Sequence, residues 1–324
     1  MKSYYKGMLR TNLENGVITV VDAPMPERPA GYALLRLLVA GICNTDLELQ
    51  RGYYGFRGTP GHEFVAEVME ADSRALVGKR VVGEINLACG QCEWCRKGLG
   101  RHCPSRSVLG IVRHPGAFAE FLTLPESNLF VVPEGLALDR AVFTEPLAAA
   151  CEILDQVDIP AGAPVAVLGD GKLGLLVAQV LAVHGCAVRL FGRHEEKMRI
   201  AAPSGVATKL ADGNLPVAEY DWVVEASGSP DGLRQAVAMT RPRGTVILKS
   251  TLHGAVAVDV APIIVNEVTL VGSRCGRFEA ALPLLANVSI RTEEMIAARY
   301  PLRDAAEAFE WAGRKGVLKV LLEA

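Results

Sequence analysis

The N-terminal part of the chain consists of short apolar runs separated by turn residues. Between residues 17 and 84 these runs are rich in Val, Ile and Leu, for example at 17–21 and 33–40, and a turn segment at 23–31 lies between these two. Short apolar runs bounded by turn residues are typical of β-strands. This part of the sequence therefore predicts a mainly β structure.

From about residue 164 the pattern changes to strand-length apolar runs that alternate with helix-length stretches. Strands are predicted at 165–168, 188–191, 222–226, 245–248 and 269–271. Helices are predicted in an apolar stretch that ends at Gly185 and at 232–239, 278–285 and 303–313. This alternation predicts a doubly wound parallel sheet of the α/β class. A final predicted strand at 318–322 is expected to return to the β-rich domain.

Length, composition and charge indicate a globular protein with two domains. The chain has 324 residues, half of them apolar, and its 34 basic and 36 acidic residues give a formal charge of -2. A chain of this length exceeds what one core usually organises. The balanced charge gives no attraction to nucleic acid or acidic membranes, and no stretch approaches the roughly 18 apolar residues that span a bilayer. We expect a cytoplasmic protein that binds a small molecule.

Four of the eight cysteines are closely spaced. Cys89, Cys92, Cys95 and Cys103 form a C-x2-C-x2-C-x7-C pattern in a loop marked by glycines. Two-residue gaps let thiolates converge on one tetrahedral ion, and the longer gap closes the fourth corner. Because four sulfur ligands leave no position for substrate, we interpret the pattern as a structural zinc site. An iron–sulfur cluster is the alternative.

A more dispersed set of residues is suited to an open metal site. Its members are Cys43 in the segment 41–46, the pair His62 and Glu63, and Glu145. Sulfur, imidazole and carboxylate ligands suit zinc, and three protein ligands leave a position for water or a substrate oxygen. Taken alone, a cysteine such as Cys43 is more often a small buried hydrophobe, and a histidine such as His62 is more often an ordinary loop residue.

The segment 169–174 has the pattern G-x-G-x-x-G between a predicted strand and a predicted helix. Its residues are Gly169, Asp170, Gly171, Lys172, Leu173 and Gly174. In this context the glycines permit a tight turn and a close approach of the backbone, while the helix N-terminus stabilises a pyrophosphate. We therefore predict a dinucleotide-binding site, in which the charge of Asp170 is unfavourable unless it points away from the phosphates.

The end of the second strand of this sheet bears on the choice of cofactor. An NAD site normally offers Asp or Glu there to the ribose 2'-hydroxyl. This chain has Gly192, followed by Arg193 and His194. A missing carboxylate and a nearby guanidinium favour the 2'-phosphate of NADP, although a solvated surface turn would have the same residues. On this interpretation Gly192→Asp would shift the preference toward NAD.

Together these motifs resemble the zinc-containing medium-chain dehydrogenase/reductase family of alcohol, polyol and sugar dehydrogenases. The matching stretches are 41–46, 61–63, the four-cysteine lobe, 116–121, 145–148, 169–174 and 223–228, which cover nearly the whole chain. The resemblance implies a β-rich, chaperonin-10-like (GroES-like) catalytic domain at 1–148 and a Rossmann domain at 149–273. Residues 274–324 would return to the catalytic domain.

The resemblance also implies roles for individual residues. Cys43 and His62 correspond to ligands of a catalytic zinc, with Glu63, Glu145 or both completing the set. Thr45 resembles the family hydroxyl that takes the proton of the alcohol. Asp46 resembles a carboxylate that orients His62. Ala226 and Ser227, in the stretch 223–228, are expected beside the cofactor.

The implied reaction is hydride transfer between a nicotinamide dinucleotide and an alcohol, polyol or sugar, or the matching carbonyl. Two zinc ions per chain, NADP favoured over NAD, and a homodimer or homotetramer formed near the strand at 269–272 complete these expectations. One alternative is a non-catalytic, nucleotide-binding redox sensor, which turnover of any alcohol would dismiss. The other is a zinc-free quinone or enoyl reductase of the same superfamily, but those enzymes lack the four-cysteine lobe.

Overall fold

The computed structural model describes residues 7–251, 256–287 and 289–324. The chain divides into two compact units, unit 1 (Met1–Glu145 and Ile296–Ala324) and unit 2 (Pro146–Met295). The strands are β1 Met8–Glu14, β2 Val17–Ala23, β3 Tyr32–Ile42, β4 Glu63–Glu70, β5 Arg80–Gly83, β6 Asn86–Leu87, β7 Ser107–Leu109, β8 Arg113–His114, β9 Phe121–Pro125, β10 Leu129–Val131, β11 Pro164–Leu168, β12 Ala187–Gly192, β13 Ala207–Leu210, β14 Tyr220–Glu225, β15 Thr240–Leu248, β16 Thr269–Gly272, β17 Ile296–Pro301 and β18 Lys319–Glu323. The helices are α1 Asn44–Gln50, α2 Glu93–Arg96, α3 Leu138–Ala141, α4 Thr144–Gln156, α5 Lys172–Val183, α6 Glu195–Met198, α7 Gly232–Met239, α8 Ala261–Val265, α9 Phe278–Leu285 and α10 Ala305–Ala312.

A seven-stranded sheet lies at the centre of unit 1. Its middle strand, β3, pairs antiparallel with β4, β9 and β18, and β5 and β10 extend the sheet beyond β4. At the other edge β17 runs parallel to β18. The strand β3 is almost entirely apolar because most of its residues are buried. The predicted β-rich unit is thus present, and the final predicted strand does join it.

Unit 2 contains a six-stranded sheet in the order β13-β12-β11-β14-β15-β16, and its strands pair in parallel. This is the strand order of a Rossmann sheet, which binds ligands beyond the carboxyl ends of β11 and β14, where the winding reverses. Each strand predicted from 164 onward overlaps an observed one. Within the described residues, no helix has both the length and the apolar character needed to cross a bilayer.

The segment 274–295 belongs to unit 2, whereas the sequence interpretation assigned it to the returning catalytic domain. The side chain of Arg277 forms two hydrogen bonds to the carboxylate of Asp155, at 2.7 and 2.8 Å. Further along, the backbone N–H of Arg291 donates to the side-chain oxygen of Gln179 at 2.6 Å. These long-range contacts fix the segment to unit 2, and a local helical pattern gives no information about them.

Candidate active site

The side chains of Cys43, His62 and Glu63 converge at one end of the central strand of unit 1. Strand β3 ends at Ile42 and β4 begins at Glu63, and the antiparallel register places Gly41 opposite Glu63. Cys43 therefore follows β3 at the point where His62 leads into β4. One potential ligand atom from each of the three side chains lies within 4.8 Å of the other two. Strand pairing thus joins two motifs that are distant in sequence.

Asp46 connects the two sides of this cluster. It is fully buried in the first turn of α1. Its Oδ2 accepts a hydrogen bond from the backbone N–H of Cys43 at 2.8 Å, and its Oδ1 accepts one from the N–H of Gly61 at 3.1 Å. The same Oδ1 lies 3.3 Å from Nδ1 of His62. The two atoms lie within ion-pair distance but outside hydrogen-bond geometry, since Nδ1 is buried without a hydrogen-bond partner. A carboxylate near Nδ1 favours Nε2 as the atom that faces a metal ion.

Thr45 and Glu145 lie beside the cluster. The hydroxyl of Thr45 is 3.8 Å from the sulfur of Cys43. Glu145 is outside the set of ligand atoms that lie within 4.8 Å of one another. Desolvation raises the pKa of Glu145 to about 7, while the positive charge of His62 opposes that rise and the negative charge of Glu63 adds to it. The four predicted ligands are therefore neighbours, but only three of them form a compact donor set.

A buried lysine that the sequence analysis missed balances the charge of Glu63. Lys319 on β18 forms an ion pair with Oε2 of Glu63, and each side chain is only 1% exposed. Between them on β3 lies Gly41, where a β-carbon would be 2.7 Å from Oε2 of Glu63. The glycine therefore makes room for the pair. The one available signal was a lysine inside the apolar run 318–322.

The donors of this cluster fit a zinc ion. Thiolate, imidazole and carboxylate are ligands that zinc accepts. The second oxygen of Glu63, Oε1, is buried and has no hydrogen-bond partner. Burial opposes protonation of His62, yet Asp46 and Cys43 raise the pKa of His62 well above its usual value. The surroundings thus favour a positive charge at the place where a zinc ion would supply one.

The four cysteines of the loop between β6 and β7 also converge. Sulfur–sulfur distances are 3.9 Å for Cys89 and Cys95, 3.4 Å for Cys92 and Cys95, and 3.8 Å for Cys92 and Cys103. Four thiolates about 2.3 Å from one tetrahedral zinc ion would lie about 3.8 Å apart. Backbone N–H groups of Gln91 and Cys92 lower the pKa of the Cys89 thiol to about 6. The spacing fits a single ion better than a multi-iron cluster.

The glycine-rich turn of unit 2 connects β11 to α5. Gly169 has φ of 121°, and a β-carbon there would lie 2.4 Å from the carbonyl oxygen of Ala226. A β-carbon on Gly174 would lie 2.0 Å from the carbonyl oxygen of Gly169. These two glycines are therefore required by packing. Gly171 has open space around it, as expected where a phosphate approaches the backbone. The helix α5 opens with Lys172 and Leu173.

Asp170 points toward the end of β12. Its Oδ2 accepts hydrogen bonds from the backbone N–H groups of Arg193 at 2.7 Å and His194 at 2.6 Å, and lies 2.9 Å from Nδ1 of His194. A β-carbon on Gly192 would lie 2.5 Å from the β-carbon of Asp170. Packing against Asp170 therefore favours a glycine at position 192. The sequence analysis missed this steric requirement and related Gly192 only to cofactor choice.

These residues line a pocket of about 480 Å³ beyond β11 and β12. The exposed side chain of Arg193 faces this pocket, and within the described part of the chain no carboxylate pairs with its guanidinium. Arg234, which the sequence analysis missed, also lines it, but its Nε lies 3.5 Å from Asp231. The hydroxyl of Ser227 is used locally, since it donates to Glu225 at 2.6 Å.

Two protein-family models match the chain, the alcohol dehydrogenase GroES-like domain over residues 29–134 and the zinc-binding dehydrogenase over residues 173–287. L-threonine 3-dehydrogenase of Streptomyces avermitilis is 32% identical, and the match covers 98% of this chain and 99% of that protein. D-arabitol-phosphate dehydrogenase of Enterococcus avium is 26% identical, with 100% and 98% covered. The chain belongs to the zinc-containing medium-chain dehydrogenase/reductase family.

Solved structures have the same fold. A zinc-binding dehydrogenase from Sinorhizobium meliloti, bound to NADP, matches with a TM-score of 0.89 and 28% identity over 99% of this chain and 100% of that one. Alcohol dehydrogenase TADH from Thermus sp. ATN1 matches with a TM-score of 0.85 and 30% identity over 98% and 99%. The protein is an oxidoreductase of the alcohol and polyol dehydrogenase type. The predicted family, fold class and reaction type are thereby confirmed.

Proposed function

We propose that this chain is a zinc-dependent dehydrogenase whose catalytic zinc is held by Cys43, His62 and Glu63. The convergence of these three donors within 4.8 Å carries the proposal. We favour Glu63 over Glu145 as the third ligand because Glu63 belongs to this compact set and has an unpartnered buried oxygen. A zinc ion held by these residues would supply Lewis-acid chemistry toward a substrate oxygen, and a bound nicotinamide dinucleotide would supply the hydride chemistry.

The protein's own side chains orient the donors and move the proton. Asp46 holds the backbone of Cys43 and the imidazole of His62 in one arrangement. Thr45 places its hydroxyl beside the cluster and is partly exposed. Its Oγ1 accepts the proton of the substrate hydroxyl while its own hydroxyl proton passes to solvent water. Lys319 forms an ion pair with one oxygen of Glu63 and so compensates a negative charge inside the core.

A second zinc ion, held by Cys89, Cys92, Cys95 and Cys103, is part of the proposal. All four sulfur atoms lie within 4.8 Å of one another, which supports one ion bound by all four. Four protein ligands leave no position for substrate, so this ion has a structural role.

The pocket beside β12 supports NADP as the preferred cofactor. The guanidinium of Arg193 is exposed at the pocket, and Gly192 brings no carboxylate there. The Oδ2 atom of Asp170 is already occupied by N–H donors of the turn. A charge-assisted contact to a 2'-phosphate contributes about 1.5–3 kcal/mol, which corresponds to about a ten- to a hundredfold preference.

The exposed edge strand β16 supports the proposal that the protein forms an oligomer. It is the last strand of the parallel sheet, and Leu270 on it is exposed, as are Ile264 and Val265 of α8. Exposed strand edges and apolar side chains favour self-association. We expect the wild type to sediment as a dimer or tetramer and the variant Leu270→Lys to sediment as a smaller species. A monomeric wild type would contradict this.

Zinc content and turnover together test the proposed enzyme. The wild type should contain two zinc ions per chain and oxidise alcohols or polyols. His62→Ala should lose one ion and turnover in a protein that still folds, whereas Cys95→Ser should lose the other ion and mainly lower the unfolding temperature. Cys186→Ala, which changes a buried thiol in neither cluster, should keep both ions. Iron in place of zinc, or turnover by His62→Ala, would contradict the proposal.

A further inference from the structure

Unit 1 contains a recess of about 510 Å³ to which the proposed reaction gives no role. Small-molecule sites are typically about 300–1,000 Å³ in volume. We call it the arginine recess because three arginines lie in its wall. The wall residues used below are Arg10, Tyr54, Phe56, Arg57, Thr59 and Arg113. Its volume is sufficient for a small organic ligand.

The arginine recess carries positive charge with little compensation. Among the described residues that line it, none is acidic. Arg57 approaches Glu14 only at 3.9 Å, with the two side chains 68% and 55% exposed, and exposed pairs of this kind contribute little. The Nε of Arg10 is buried and has no hydrogen-bond partner. Arg113 donates to a backbone carbonyl at 2.8 Å, which positions its guanidinium without neutralising it.

The backbone of the recess is held in an unfavourable conformation. Tyr54 and Arg113 have φ of 59° and 52°, in the left-handed region that costs energy for residues other than glycine. They are two of the six described non-glycine residues with positive φ. Such conformations persist only where the surrounding structure holds them, and they cluster at ligand sites. The surrounding structure therefore holds these two wall residues in place.

One short stretch of the chain connects the arginine recess to the proposed metal cluster. Thr59 lines the recess and precedes His62 by three residues, so their Cα atoms are no more than about 11 Å apart. The segment that follows Arg113 is bonded to the same strip, since the N–H of Gly116 donates to the carbonyl of Thr59 at 2.7 Å. A substrate whose hydroxyl group lies at the cluster must therefore span a distance of this order to place a second group in the recess.

We propose that the arginine recess binds an anionic group, a phosphate monoester or a carboxylate, of the substrate whose hydroxyl group lies at the cluster of Cys43, His62 and Glu63. This inference rests on the proposed function. Guanidinium groups form charge-assisted, paired hydrogen bonds with phosphate and carboxylate oxygens. The rings of Tyr54 and Phe56 would contact the carbon chain. The substrate class is then sugar or polyol phosphates or hydroxy acids.

Calorimetry with inorganic phosphate tests the recess without turnover. The zinc-loaded enzyme is saturated with NADP, so that the phosphate-binding turn at Gly169 is filled, and ionic strength is held constant. The double variant Arg57→Ala/Arg113→Asn should bind phosphate at least about tenfold more weakly than the wild type. Asparagine tolerates the positive φ at 113. The control Arg74→Ala/Arg303→Ala removes the same charge from exposed positions of unit 1 and should bind like the wild type.

Matched substrates test the link to the reaction. We compare kcat/KM for a polyol with that for its phosphate, and for a diol with that for the hydroxy acid of equal length. The wild type should prefer the anionic member at least about tenfold, and the double variant should lose that preference. If phosphate binding is unchanged in the double variant, the arginine recess is not the anion-binding site. Binding lost without a change of preference overturns the assignment to substrate. A wild type that oxidises no alcohol refutes the proposed function. Calorimetry still shows in that case whether the arginine recess binds an anion.

Discussion

The β-carbon of Asp170 fills the space beside Gly192, where a β-carbon on the glycine would lie only 2.5 Å away. Asp170 is fixed in this position because one of its oxygens accepts N–H groups from Arg193 and His194. The expectation that Gly192→Asp would simply shift cofactor preference toward NAD is therefore revised. Any side chain at 192 must first displace Asp170.

We expect Gly192→Ala to destabilise unit 2 by about 1–3 kcal/mol, because overpacking a filled site forces neighbours to move. Thermal unfolding with and without cofactor measures this. The control Gly171→Ala, at a position with nothing within 4 Å, should change stability far less. In a double-mutant cycle, Asp170→Gly should remove most of the cost of Gly192→Ala. Wild-type stability of Gly192→Ala would show that Asp170 moves aside freely.

Arg193→Gln should raise the KM for NADP by about ten- to a hundredfold and leave the KM for NAD nearly unchanged. The reason is the loss of a guanidinium contact available only to the 2'-phosphate. Steady-state kinetics with both cofactors at saturating alcohol provides the measurement. Arg199→Gln, an exposed arginine of the following helical segment, is the matched control and should affect neither value. An equal effect on both cofactors would mean that Arg193 is only a solvated residue.

Asp46→Asn should weaken zinc binding at the cluster of Cys43, His62 and Glu63 by about ten- to a hundredfold, since the side chain that orients the histidine loses its charge. An amide also has a single acceptor oxygen, whereas both oxygens of Asp46 accept backbone N–H groups. Competition with a zinc chelator measures the affinity. Exposed Asp22→Asn is the control. Unaltered zinc affinity would remove Asp46 from its proposed role.

In the zinc-free protein, Lys319→Met should destabilise unit 1 by about 3–5 kcal/mol, because it leaves the carboxylate of Glu63 buried without a cation. Urea unfolding measures the loss. Lys315→Met, at an exposed position near the C-terminus, should have little effect. The double variant Glu63→Gln/Lys319→Met should be more stable than Lys319→Met alone, since no unpaired charge then remains. If the double variant is the least stable of all, the ion pair is not the cause.

Features that depend on neighbouring residues could be predicted from the amino-acid sequence. Alternation of short apolar runs with turns gave the β-rich unit, and strand–helix alternation gave the parallel sheet, because backbone periodicity is a local property. The four-cysteine pattern at 89–103 and the glycine-rich turn at 169–174 could also be recognised in the sequence. In both, the spacing along the chain is itself the geometry that a metal ion or a phosphate requires.

Contacts between side chains that are distant in sequence became apparent from the folded chain alone. Glu63 and Lys319 are 256 residues apart, and they pair because β4 and β18 flank the same strand, β3. Asp170 reaches the end of β12 because β11 and β12 lie side by side. The arginine recess likewise gathers Arg10, Arg57 and Arg113 from separate segments. Such contacts follow from the order and register of the strands. The residues next to a side chain in sequence do not indicate which distant side chain it will contact.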